Sequence, residues 1–97
     1  MHPLIEIHRA ELLNLARKRR VTGVRVFGSM SRGDGSDTSD TSDVDLLVTL
    51  APGTSALALG GLLLDAQELL GRRVDIFTEA SLHPARRERV LAVAVPL

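Results

Sequence analysis

Cysteine, tryptophan and tyrosine are absent from the 97 residues, and phenylalanine occurs only twice. A chain without thiols forms no disulfide and no zinc–thiolate centre, which fits a reducing cytoplasm. So few aromatic rings leave little on which unstacked bases could lie, and a single-strand nucleic-acid platform is not expected. Neither sign of charge is in excess. Twelve basic residues balance twelve acidic ones for a formal net charge of zero, so direct binding to nucleic acid or to a membrane surface is not indicated. No charged-then-apolar segment opens the chain, and no apolar run approaches the roughly twenty residues of a membrane span. What is present is an apolar fraction of 44% with 25% charged residues, ordinary for a soluble chain large enough for one modest core. Residues 1–97 are read as a single cytoplasmic domain.

Apolar periodicity predicts a helix over residues 3–20, opened by Pro3 and carried by Leu4, Ile5, His8, Leu12, Leu15 and Ala16. Its basic end, Arg17 to Arg20, opposes the negative pole of the helix dipole. Val21 to Phe27 reads as a β-branched strand stopped by Gly28. Val44 to Leu50 reads as a second strand, ended by Ala51-Pro52-Gly53. Thr54 or Ser55 can cap a leucine-rich helix reaching about Leu70, where Gly71 is placed to stop it. A third strand is expected over Arg72 to Phe77, and then a helix from near Pro84 capped by Ser81. The Ala92 to Val95 tail fits helix or strand. This order predicts an α/β sheet with helices packed against it.

Between the first two strands lies GDGSDTSDTSDVD, with five aspartates at positions 34, 37, 40, 43 and 45. Asp34, Asp37 and Asp40 read as a solvated loop. An EF-hand reading fails, because Ser39 stands at the turn-glycine position and Asp45 replaces the closing glutamate. Residues two apart on a strand share a face, and only Asp43 and Asp45 have that spacing at a strand entrance. Two such carboxylates repel each other, unless a divalent cation with a preference for hard oxygen ligands, such as Mg²⁺, lies between them. Val44, Leu46 and Val48 on the opposite face would fix the register, since a slip of one residue would bury the acids. Asp75 repeats the pattern between Val74 and Ile76. If its strand is a neighbour, three carboxylates converge into a ligand set for one or two Mg²⁺ ions in phosphoryl or nucleotidyl transfer.

The turn after the first strand is Gly28-Ser29-Met30-Ser31-Arg32-Gly33. A glycine there lets backbone approach a ligand closely, and amides at the start of a following helical turn can hold an anion. The Ser29 hydroxyl can hold a terminal phosphate. Arg32 can pair with phosphate or brace the acidic loop. The stretch is not a P-loop, which needs a closing Gly-Lys-Ser/Thr.

Together FGSMSRG, SDVDLLV and RRVDIF closely resemble the DNA polymerase β-like nucleotidyltransferase superfamily, and within it the small bacterial minimal nucleotidyltransferases, the MNT antitoxins. The resemblance extends over nearly the whole chain, including SLHPARRERVLAVAVPL. It implies the nucleotidyltransferase fold, a small mixed β-sheet with helices against it. It also implies that Gly28 and Ser29 hold the triphosphate of ATP, with Arg32 nearby. Asp43 and Asp45 would bind Mg²⁺, with Asp75 as third ligand or as base for the attacking hydroxyl. One departure is the thirteen residues from Met30 to Ser42. The family usually has about ten, and removing one Ser-Asp-Thr triplet restores that spacing, at a closure-entropy difference of about 0.2 kcal/mol.

The resemblance further implies an antitoxin paired with a HEPN-domain RNase toxin, whose tyrosine receives AMP from ATP. The competing expectation is an antitoxin that masks its toxin by contact alone. Transfer to a small molecule such as an aminoglycoside is disfavoured, because these residues include no acceptor-binding domain.

Overall fold

The computed structural model describes residues 1–31 and 43–97. Helix α1 spans Pro3–Lys18 and leads into strand β1, Val21–Phe27. A single 3-10 turn, Gly28–Ser31, follows; then come β2 at Val44–Leu50, α2 at Leu57–Leu70 and β3 at Val74–Phe77. A second 3-10 turn, Glu79–Ser81, precedes α3 at Pro84–Val93 and β4 at Val95–Pro96. The four strands form one mixed sheet in the order β3-β2-β1-β4. β1 is antiparallel to both β2 and β4, whereas β2 and β3 are parallel and joined by α2 as a crossover.

Strand alternation divides the molecule into two apolar layers. Val24 and Val26 of β1, Val44, Leu46 and Val48 of β2, and Val74 of β3 face α1 and α2, where they meet Ile5, Leu12, Ala16, Leu62, Ala66 and Leu70. Val21 joins the same layer although its parity is wrong for it, because the β1–β2 register slips between Val21 and Gly23. The opposite face carries Phe27 and Leu47, covered by Leu82 and Val90 next to and on α3. Phe77 closes that smaller cluster, its ring 5.6 Å from that of Phe27. Full burial of each such side chain is worth about 1.5–3 kcal/mol, so both layers fix the strands between them.

Several boundaries differ from those expected. α1 ends at Lys18 rather than at residue 20, because Arg20 takes a left-handed φ of 61° and turns the chain into β1. Arg19 is thereby freed to reach Asp65 on α2 at 3.0 Å. Neither Thr54 nor Ser55 is the N-cap of α2, which is Ala56 without a side-chain cap bond, although Ser55 Oγ accepts from the Leu57 amide at 3.1 Å. Gly71 stops that helix with φ 66°, as expected. β3 begins at Val74, two residues later than expected. α3 is capped by His83, whose Nδ1 accepts from the Ala85 amide, whereas Ser81 forms a capping box with Thr78. The ambiguous tail does both things: helix to Val93, then a short strand on the edge of β1.

Candidate active site

The start of β2 sets the position of the acids. The Val44 amide donates to the Arg73 carbonyl at 2.9 Å, pinning β2 to the beginning of β3. In the register that follows, Asp45 is the direct partner of Asp75, with Val44 opposite Val74 and Leu46 opposite Ile76. In-register residues on parallel strands project to the same face, so the two carboxylates stand side by side, away from the large core. Asp43 precedes Asp45 by two residues and is half-buried beside it. The topology thus pairs Asp45 with Asp75, with Asp43 two residues upstream of the pair.

Electrostatics reflect that crowding. The Asp45 carboxyl is held above its ordinary value of 3.8, first by burial and then by the negative charges of Asp75 and Asp43. The Arg86 guanidinium on α3 acts in the opposite sense. Among the described residues, no three His, Cys, Asp or Glu side chains are drawn together tightly enough to hold a metal ion as they stand. Asp45 and Asp75 share a face, Asp43 acts on Asp45 through its charge, and carboxylate oxygens of this kind are the donors a hard divalent cation prefers.

The glycine turn abuts this group. On β1, Phe27 is paired with Asp45, so Gly28 follows immediately at the edge of the acids. Gly28 has φ 70°, and a Cβ built on it would lie 2.5 Å from Asp45 Oδ2. A side chain there would be strained by the left-handed backbone and would push the carboxylate aside. Ser31 closes the turn, its hydroxyl donating to the Gly28 carbonyl at 2.8 Å. Ser29 sits half-buried between these two, next to the glycine. The turn is anchored from behind by the His2 amide, which donates to the Met30 carbonyl at 2.9 Å, and by the fully buried Met30 side chain. Arg32, like Asp34, Asp37 and Asp40, lies outside the described residues.

An open cleft of about 290 Å³ extends from the turn, lined by Phe27, Gly28, Arg86, Arg89, Val90 and Val93. A larger hollow of about 450 Å³ lies beside Val48 to Leu50, Thr78 and Glu79. The smaller one includes Gly28, the residue that abuts Asp45, and this chemistry outweighs volume in locating the site. Sequence reasoning did not single out Arg86 or Arg89. Their spacing of three within PARRERV places them on one helical face, but only the docking of α3 shows which surface that face meets.

Comparison with known proteins agrees with this geometry. A family model for a nucleotidyltransferase domain matches residues 7–95. A Methanocaldococcus jannaschii protein described as a candidate protein adenylyltransferase is 37% identical over 85 residues, covering 88% of each chain. A second protein of that organism, described in the same way, is 35% identical over 78 residues, covering 80% of this chain and 76% of its own. Among solved structures, one described as a candidate minimal nucleotidyltransferase superposes with a TM-score of 0.83 at 40% identity. It covers 100% of this chain and 97% of its own. A more distant one, from an MntA–HpeT toxin–antitoxin crystal, gives a TM-score of 0.68 at 21% identity over 92% of this chain and 69% of its own, a likeness of fold. With the family model spanning nearly all of the sequence and the acids meeting beside the glycine turn, the chain belongs to the nucleotidyltransferase-domain family and is a nucleotidyltransferase.

Proposed function

We propose that this nucleotidyltransferase is a Mg²⁺-dependent protein adenylyltransferase, the antitoxin of a HEPN-domain RNase toxin, and that it transfers AMP from ATP to a tyrosine of that toxin. The observation that carries the reading is the in-register pairing of Asp45 with Asp75, packed against a left-handed glycine turn. The relatives described as candidate protein adenylyltransferases support a protein acceptor. A fold neighbour crystallised as a toxin–antitoxin with AMP-PNP supports both the nucleotide and the toxin partner.

Asp43, Asp45 and Asp75 are the residues that would hold one or two Mg²⁺ ions. When bound, the metal polarises the phosphate oxygens and neutralises charge on the departing pyrophosphate. The chain's own residues do the rest. The Gly28–Ser31 turn presents backbone to the triphosphate at close range, and the Ser29 hydroxyl donates to a phosphate oxygen. Asp75, exposed beside Asp45, acts as the third ligand or accepts the proton of the attacking hydroxyl. The tyrosine oxygen bonds to the α-phosphorus, the bond from that phosphorus to the bridging oxygen breaks, and pyrophosphate leaves with the electron pair.

The test is mass spectrometry of the toxin after incubation with this protein, ATP and Mg²⁺. An added AMP on a tyrosine, lost in Asp43→Ala and Asp45→Ala, is the expected result. A toxin silenced with its mass unchanged would replace the enzymatic reading with masking by contact.

A further inference from the structure

α3 carries three arginines in four residues, and they are not used alike. Arg87 is committed to the fold: its Nε donates to the Glu79 carbonyl at 2.9 Å and its Nη2 to the Leu82 carbonyl at 3.3 Å. Arg86 and Arg89 are exposed and form no salt bridge among the described residues; the ion pairs there are Arg9–Glu6 and Arg19–Asp65. One helical turn apart, they line the same open cleft with Gly28. Gly28 both lines the cleft and packs against Asp45 Oδ2, so the cleft and the carboxylates are neighbours across this one residue.

Two guanidiniums at the edge of an acidic site, neither in a salt bridge among the described residues, suit a polyanion that spans from the acids to the helix. Guanidinium is permanently charged and matches phosphate oxygens in a planar fork. A nucleoside triphosphate whose α-phosphate lies at the acids has two further phosphates to place, and the cleft beside Gly28 is the adjoining space. We infer that Arg86 and Arg89 form, with the Gly28 turn, a subsite for the β- and γ-phosphates of the nucleotide and for the pyrophosphate that leaves. The inference rests on the nucleotide-transfer reading above and extends it to α3. On this arrangement α3 both covers the Phe27–Leu47 cluster and supplies the positive charge that meets the leaving group.

The experiment measures binding of ATP, AMP and inorganic pyrophosphate, each with Mg²⁺, to the full chain and to R86Q, R89Q and the double variant. Wild type should prefer ATP to AMP and should bind pyrophosphate in competition with ATP. Each single variant should weaken ATP binding by about tenfold, the size of one charge-assisted hydrogen bond, with AMP affinity unchanged. The double variant should lose pyrophosphate competition, and R86K with R89K should recover part of it. Unchanged thermal melting in the variants is expected from two exposed side chains. An ATP-to-AMP affinity ratio left intact in the double variant overturns the subsite. So does an equal loss for both nucleotides, which would place the arginines against the nucleoside. Wild type that binds no nucleotide at all would instead remove the transfer reading, and the subsite with it.

Discussion

Replacing Gly28 by alanine tests the packing of the turn against Asp45, with a built-in control at Gly71. The two glycines have nearly the same backbone, φ 70° and φ 66°, so a side chain at either carries the same left-handed penalty of about 1–2 kcal/mol. Their surroundings differ. A Cβ at Gly71 meets nothing within 4 Å, whereas one at Gly28 lies 2.5 Å from Asp45 Oδ2. To restore ordinary contact of about 3.5 Å, the carboxylate must retreat by roughly 1 Å. A misplacement of that size in a catalytic group can cost about a hundredfold in rate. Both variants should therefore melt lower by about 4–15 °C, given some 4–8 °C per kcal/mol in a chain of this size. Only Gly28→Ala should also lose about two orders of magnitude in AMP transfer, measured with labelled ATP at a temperature where both are folded. Equal activity in the two variants would refute the idea that the turn holds the carboxylate in place.

Asp45→Asn should raise the melting temperature of the metal-free protein at neutral pH. The folded protein holds the Asp45 proton more tightly than the unfolded chain does, because of burial and of Asp75 and Asp43, so ionisation opposes folding. That unfavourable contribution is complete above the raised pKa and is relieved as pH falls through it toward 3.8. The difference between variant and wild type should shrink over the same interval, as melts in EDTA across pH would show. Gly60→Ala should stabilise by up to about 1 kcal/mol, since the position is helical and a Cβ there meets nothing within 4 Å. A melt that does not rise would contradict it. Deleting one Ser-Asp-Thr triplet, residues 39–41, should leave the denaturation midpoint nearly unchanged, for a closure-entropy difference of about 0.2 kcal/mol. Any large effect of the deletion should appear in transfer rate instead.

β2 was legible because its two faces obey opposite demands. Val44, Leu46 and Val48 are buried, and a one-residue slip would place Asp45 among them. The same alternation in VDIF predicted the face of Asp75, and the β2–α2–β3 crossover then made the two strands neighbours. The end of α1 was not legible, since a left-handed turn at Arg20 has no signature in an arginine. The cap of α3 was missed because serine is the commoner cap, yet Ser81 is already bonded to Thr78 and leaves the role to His83. Arg86 escaped notice for a deeper reason. Its nearness to Asp45 is created by Leu82 and Val90 seating α3 on Phe27 and Leu47, a contact between segments far apart in the chain.

The pairing of Asp45 with Asp75 joins residues thirty apart, and no hairpin or isolated helix can reproduce it. A chain in which β3 has not yet docked owns both acidic side chains and still keeps them apart. The crowding of charge around Asp45 thus comes with the docking of β3 on β2 and not with any local segment. Whatever ligand rewards that docking also withholds itself from every half-made copy.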